Sequence, residues 1–322
     1  MSLYSITPKM IGANRILEKC MIFLTPLGVI LGLILGHRIS WMKPAVSYLF
    51  GFLTFSSALS ISLNDFFNTM KRPKFMVVYW LGGLLIMPIL SVGIAYLFFA
   101  GNSGIISGYA LLRAIPTAVV GTVWASVFSG NMGIALSILI VDTVIAPVIT
   151  PFLLKLLIGS SIQIDSWGMM TSLLFMVVIP SVAGMVINQL SRGRVTENVA
   201  PCLRPISKIF LLFVIMINTS QVAERLIANA SRSYIYMAIA SLLVAASGYV
   251  IGNIFTRIFH FNRDDSVSIT YATAMRNVSA ALVLAIDYLP PDGALPVIFG
   301  IIFQQSASAI AGNILFKKRP ED

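Results

Sequence analysis

The sequence predicts an all-α membrane protein: ten transmembrane helices arranged as two inverted five-helix repeats, residues 1–160 and 161–322, forming one integral membrane unit with no soluble domain. Composition, the number of apolar segments and the sidedness of the basic residues carry this reading. Hydrophobic residues make up 57% of the 322-residue chain and charged residues 11%, with a mean hydropathy of +0.90, which describes a chain lying mostly in lipid.

Crossing a hydrocarbon core of ~30 Å takes about 20 apolar residues. Charged and turn-rich punctuation divides the chain into ten such segments: 17–36, 44–63, 75–99, 104–129, 132–157, 167–190, 206–226, 233–258, 266–289 and 294–316. A basic stretch precedes the first, but the apolar run is longer than a signal-peptide core and no small-x-small cleavage site follows, so it reads as a retained helix.

Basic residues then orient the chain. With the N-terminus cytoplasmic, Lys9, Arg15, Lys19, Lys71, Arg72, Lys74, Arg192, Arg194, Arg204, Lys208, Arg257, Arg263, Lys317, Lys318 and Arg319 fall inside, against Arg38, Lys43, Lys155, Arg225 and Arg232 outside. That bias fits ten helices and would be spoiled by an odd number. The expected setting is the bacterial cytoplasmic membrane with both termini cytoplasmic. The net charge of +10 therefore reflects sidedness, and no nucleic-acid partner is expected. Cys20 and Cys202 both fall at cytoplasmic helix ends and imply no disulfide framework.

Spans six to ten repeat the layout of spans one to five at an offset of about 154 residues. Pro26, Gly28 and Gly32 of the first span match Pro180 and Gly184 of the sixth, and Lys43-Pro44 matches Arg204-Pro205. Five is odd, so the second copy is inverted, as in many secondary transporters, whose sites lie near the bilayer midplane between broken helices.

The fourth and ninth spans are the expected broken pair. In the fourth, Arg113-Ala-Ile-Pro116-Thr117 is followed by Gly121-Thr122, where proline removes a donor and glycine permits an unwound turn. In the ninth, Thr270-Tyr-Ala272-Thr273-Ala-Met275 leads into Arg276-Asn277. A charge at this depth costs at least ~2.5–3.5 kcal/mol and marks a site. An offset of 154 places Arg276 opposite Thr122.

With these elements in place, the chain resembles the bile acid:sodium symporter family from about Leu17 to Lys317. The resemblance rests on Leu63-Asn64-Asp65 before Lys71-Arg72-Pro73, Met87-Pro88, Gly121-Thr122, Gly130-Asn131 before Ala135-Leu136-Ser137, Pro147 with Pro151, and Met275 with Asn277. It implies a panel-and-core carrier of organic anions with alternating access. The chain departs from the family at its sodium ligands. A Glu and a Gln of the ninth span read Ala272 and Arg276, a Gln of the third reads Gly83, a Thr of the fifth reads Val141, and a Ser-Asn pair of the fourth falls at Val123-Trp124 or Trp124-Ala125. Ser137 alone keeps its type.

Losing the carboxylate and gaining a cation beside it argues against the family's usual sodium coupling. The guanidinium of Arg276 is expected to take the place of a sodium ion, bonding to carbonyls of the broken helices and to Asp142, and either to attract a carboxylate substrate or to serve with Asp142 as a structural pair that locks two helices. Asp142 is either its ionised partner or a proton carrier. Arg113 either snorkels to the interface or draws substrate. Gln304 and Gln305 stand near the position equivalent to Asp142, one lining the cavity and one bonding a neighbouring helix. The expected site is thus Arg276, Asn277, Thr273, Ala272, Thr122, Ser137, Asp142, Gln304 and Arg113, with Trp124 filling or gating the ion position and Asn218 to Gln221 either lining a cavity or forming an ordinary solvated helix end.

The function expected is secondary transport of a small organic anion, proton-coupled or uniport. The alternatives are a sodium symporter with a relocated ion site and a membrane receptor or scaffold. Membrane lipid is the surrounding partner, and the oligomeric state is left open. An enzyme is not expected: His37 and His260 stand at helix ends on opposite sides, no metalloprotease or nucleophile motif occurs, and carboxylates within the spans do not pair. No cofactor or metal is expected.

Overall fold

The computed structural model describes residues 3–61, 73–159, 163–228 and 232–316. Leu63-Asn64-Asp65, Lys71-Arg72 and the terminal basic residues 317–319 lie outside them, as do the side chains of Lys9, Arg15, Lys19 and Arg225. Secondary structure is helical throughout the described residues, apart from one isolated antiparallel bridge between Thr117 and Arg276.

In chain order the helices are α1 (Leu3–Leu35), α2 (Ala45–Ala58), α3 (Pro73–Tyr79), α4 (Met87–Phe99), α5 (Ser103–Ala114), α6 (Val119–Val127), α7 (Met132–Ile158), α8 (Ser166–Leu173), α9 (Ile179–Leu190), α10 (Arg194–Asn198), α11 (Ala200–Ala228), α12 (Arg232–Ile258), α13 (Arg263–Ala274), α14 (Val278–Tyr288) and α15 (Ala294–Leu315). Six continuous runs among the described residues are long and apolar enough to cross a membrane: Pro73–Phe99, Met132–Ile158, Ser166–Leu190, Ala200–Glu224, Arg232–Ile258 and Pro291–Leu315. The protein is an integral membrane protein.

Two of these runs carry a π turn, Trp80–Ile86 between α3 and α4 and Leu174–Val178 between α8 and α9. Each is followed by a proline as the second residue of the next helix, Pro88 and Pro180. A proline inside a helix lacks the N–H that closes the preceding turn, and the backbone relaxes by widening there.

The chain forms two compact units. The first comprises Met1–Asp65 and Thr171–Ala228. In it α1 lies along α11, with Gly28 facing Leu212 and Ile215. The carbonyls that the end of α2 leaves without helical donors are taken by side chains: Asn188 Nδ2 donates to Ile61 O at 3.0 Å and Thr196 Oγ1 to Leu59 O at 2.7 Å. Of the polar cluster on α11, Gln221 Nε2 donates to Ser40 O at 3.0 Å, while Asn218 Nδ2 and Thr219 Oγ1 are buried with no hydrogen-bond partner.

The second unit comprises Phe66–Met170 and Asn229–Asp322. Its core gathers Ala125, Phe128, Ala135, Tyr249, Val267, Tyr271, Met275 and Phe316, with Phe128 stacked on Tyr271 at 6.0 Å between ring centroids. Gly248 and Gly252 let α12 approach α13 closely, since a Cβ at either would stand 2.7 Å from the Cα of Ala274 or Thr270.

The fourth and ninth predicted spans are both split inside this unit. Pro116 forces Ile115 out of the helix into extended backbone at φ −69°, ψ 151°. Met275 is likewise extended at φ −95°, ψ 114°, yet neither proline nor glycine stands nearby. The second break is held by its tertiary partners.

Candidate functional site

The two breaks lie against each other. Ala118 N donates to Met275 O at 3.1 Å and Asn277 N to Pro116 O at 2.9 Å, so Thr117 and Arg276 face one another across a two-residue antiparallel pair. The residue opposite Arg276 is therefore Thr117, an offset of 159 (276 minus 117) instead of the 154 that matched Thr122. A two-residue pairing fixes this register directly, whereas the sequence match rested on distant Pro and Gly positions. Thr117 Oγ1 lies 3.1 Å from Ala272 O and 2.9 Å from Met275 O, so its one hydroxyl proton is shared between two carbonyls at the end of α13.

Arg276 is fully buried, and its side chain leaves the crossing towards the third span. Nη1 donates to Tyr79 Oη at 2.6 Å and to Asp142 Oδ2 at 3.3 Å, and Nη2 donates to Gly83 O. The carbonyl it takes belongs to the π turn before Pro88, and not to the broken helices as expected. The same oxygen of Asp142 also accepts from Tyr79 Oη at 2.5 Å and from Thr117 N at 2.6 Å. A carboxylate of α7 thereby ties together the third span, the first break and the second. Such a pair is held by these bonds: taking two charges out of water costs several kcal/mol per ion unless their remaining valences are met.

Arg113 does not snorkel. It is 2% exposed, and Nη1 and Nη2 donate to Ala274 O at 2.6 Å and Val244 O at 2.5 Å. The guanidinium sits in the last turn of α5 and on the last residue of α13, where two helix dipoles present their negative ends. It has no ion-pair partner among the described residues. Snorkelling fails because the guanidinium finds its partners well inside the unit, the Ala274 carbonyl at the second break and the Val244 carbonyl within α12.

Gln304 holds the backbone of Arg276, and Gln305 accepts from Trp124 Nε1 at 2.9 Å, so both glutamines bond neighbouring elements. Trp124 is stacked on Phe128. Asn277 caps α14 by accepting from Ala280 N, and the buried Thr273 lies against Gly82. Thr122 Oγ1 donates to Val119 O at 2.7 Å, and Ser137 is buried in α7. Neither joins the bonds around Arg276. Thr122 and Ala272 instead line a tight crevice with Thr117, Gly121, Ala135 and Ser268, which has no room for a water molecule.

Tyr79 and Thr117 complete the cluster without having been expected in it. Thr117 was signalled by its place after Pro116. Tyr79 carried the weaker signal of a phenol one turn before Gly82-Gly83.

Crossed breaks with buried charges define a membrane-transporter fold. The chain matches the sodium proton antiporter MjNhaP1 of Methanocaldococcus jannaschii with a TM-score of 0.59 over 96% of this chain and 98% of that one, at 14% identity, a likeness of fold alone. Residues 47–229 match the Sodium Bile acid symporter family, and the chain belongs to that family of membrane transporters. It is 35% identical to the YbaS protein of Bacillus subtilis (strain 168), over 92% of this chain and 97% of that one. It is also 22% identical to the sodium-dependent transporter YocS of the same strain, over 88% and 86%. Identity to the probable sodium/metabolite cotransporter BASS5, chloroplastic, of Arabidopsis thaliana is 26%, over 92% of this chain and 74% of that one.

Proposed function

We propose that the protein carries a small organic anion across the bacterial cytoplasmic membrane by alternating access, with Arg276 in place of a coupling sodium ion. The observation that carries this reading is the charge balance of the crossing. Among the described residues Arg113 and Arg276 are buried there with one buried carboxylate, Asp142, which pairs with Arg276. One positive charge is left over, and an anionic substrate offsets it.

The reading includes ten helices in two inverted repeats, 1–160 and 161–322, with both termini cytoplasmic. The reciprocal bonds Ala118 N to Met275 O and Asn277 N to Pro116 O support it, being related by a local two-fold. So does the likeness of the halves, since α5 and α13 each have 12 residues before their break. Alternating access opens the crevice of Thr117, Gly121, Thr122 and Ala272, closed in this structure, to substrate beside Ala118, which precedes α6 and gives it no side-chain cap.

Transport is a uniport or is coupled to a proton on Asp142. Proton coupling is favoured by Asp142 Oδ1, which accepts no hydrogen bond among the described residues although Oδ2 accepts three. A second reading, sodium symport with the ion at a reopened crevice, is favoured by the sodium dependence in the names of YocS and BASS5. Uptake of small labelled carboxylates into proteoliposomes, in sodium and in choline, tests the proposal. Equal uptake in both salts supports it; uptake in sodium alone replaces it with the second reading.

A further inference from the structure

The carbonyl of Gly83 has no donor in its own helix. In an α-helical register it would accept from Met87 N, but that N–H is given to Gly82 O in the π turn. In the π register its donor would be residue 88, which is proline and has none. A buried carbonyl left this way needs a partner from elsewhere, and the guanidinium of Arg276 supplies it. Residue 83 also has to be small. A Cβ there would lie 2.8 Å from Arg276 Nη2 and 3.0 Å from Tyr79 Cε2. Tyr79 Oη and Asp142 Oδ2 receive the other arm of the fork.

We infer that Gly83, Tyr79 and Asp142 form a guanidinium-binding seat, created by the proline-widened turn at Pro88 and occupied by the chain's own Arg276. Gly83 and Pro88 are its positioning residues. Pro88 frees the acceptor and Gly83 leaves the space, so the identity of residue 276 and the shape of the third span depend on each other. The seat's ligand class is a planar alkylguanidinium, which offers donors in two directions at once; an alkylammonium of the same charge lacks the fork. The inference rests on the proposed function only where it places the seat in a transport site.

Thermal unfolding of the detergent-purified full chain tests it without requiring turnover. Arg276→Ala is expected to lower Tm by several degrees, and millimolar ethylguanidinium to restore part of the loss while ethylammonium does not. Adding Gly83→Ala to Arg276→Ala is expected to abolish the rescue. Rescue by both cations alike, no rescue by ethylguanidinium, or rescue that survives Gly83→Ala overturns the seat.

Should Arg276→Ala not fold, the cycle of Gly83→Ala with the milder Arg276→Gln decides. The seat requires that Gly83→Ala lower Tm more with Arg276 present than with Arg276→Gln, and additive shifts refute it. Rescue without anion uptake would leave the seat standing and remove the transport reading.

Discussion

Gln304 grips the backbone of Arg276 from both sides: Oε1 accepts from Arg276 N at 3.0 Å and Nε2 donates to Arg276 O at 2.9 Å. A side-chain amide thus replaces the two helical bonds that the break removes, and it points the guanidinium away from the crossing. Gln304→Leu leaves the buried Arg276 N unpaired, while Arg276 O keeps the N–H of Val278 at 2.8 Å, and is expected to cost about 1–3 kcal/mol. Gln304→Glu keeps the acceptor but sets an oxygen against Arg276 O, so it should destabilise as well. Unfolding of both variants in one detergent checks this, and a wild-type midpoint for either would show that the clamp is dispensable.

Asp142→Asn removes the charge that balances Arg276 while keeping a similar shape. Breaking a buried ion pair from one side costs about 3–5 kcal/mol, and the loss should appear in the unfolding midpoint. If Asp142 carries a proton, anion uptake by the wild type varies with pH and this variant flattens the profile. An unchanged profile would remove Asp142 from coupling and leave uniport.

Arg113→Met leaves Ala274 O without its side-chain donor, while Val244 O keeps Ser247 Oγ at 3.0 Å, and is expected to cost about 1–3 kcal/mol. A surface arginine changed in the same way would shift stability by no more than about 0.5 kcal/mol. Arg113→Lys keeps the charge at the ends of α5 and α13 and should fall between the two. Anion uptake should follow the charge, with Arg113→Lys above Arg113→Met.

Tyr79→Phe deletes a hydroxyl that donates to Asp142 and accepts from Arg276. Bonds to charged groups contribute about 1.5–3 kcal/mol each, and the variant should be destabilised by roughly that amount of one bond. A neutral result in urea or heat unfolding would show that the ion pair does not need its phenol.

Much of this architecture can be read from the chain. The apolar segments, the split of the fourth span at Pro116 and the buried setting of Arg276 follow from hydropathy, a missing donor and the cost of a charge in lipid. The pairing of Arg276 with Asp142 was legible because so few acids stand inside the spans. The second break was legible only as the partner of the first, through the repeat and the buried charge. Nothing from Tyr271 to Ser279 disfavours a helix strongly, and the extended backbone at Met275 depends on Gln304, Pro116 and Ala118, all distant in sequence. Arg113 misled for a related reason. Its partners are the Ala274 carbonyl at the second break and the Val244 carbonyl within α12, and the sequence does not say which carbonyls a distant side chain meets. The same holds for Gly83, whose free oxygen arises from a π turn that only Pro88 announces.

The central claim is that Arg276 stands where a mobile cation would otherwise bind. Thermal unfolding of the wild type and of Ala272→Glu/Arg276→Gln, each in sodium chloride and in choline chloride at equal ionic strength, addresses it most directly. A bound ion raises stability by RT ln(1 + [L]/Kd). The account predicts no sodium effect on the wild type and a sodium-dependent rise of the midpoint in the double variant. A sodium-dependent rise in the wild type itself, with none gained by the variant, would contradict it.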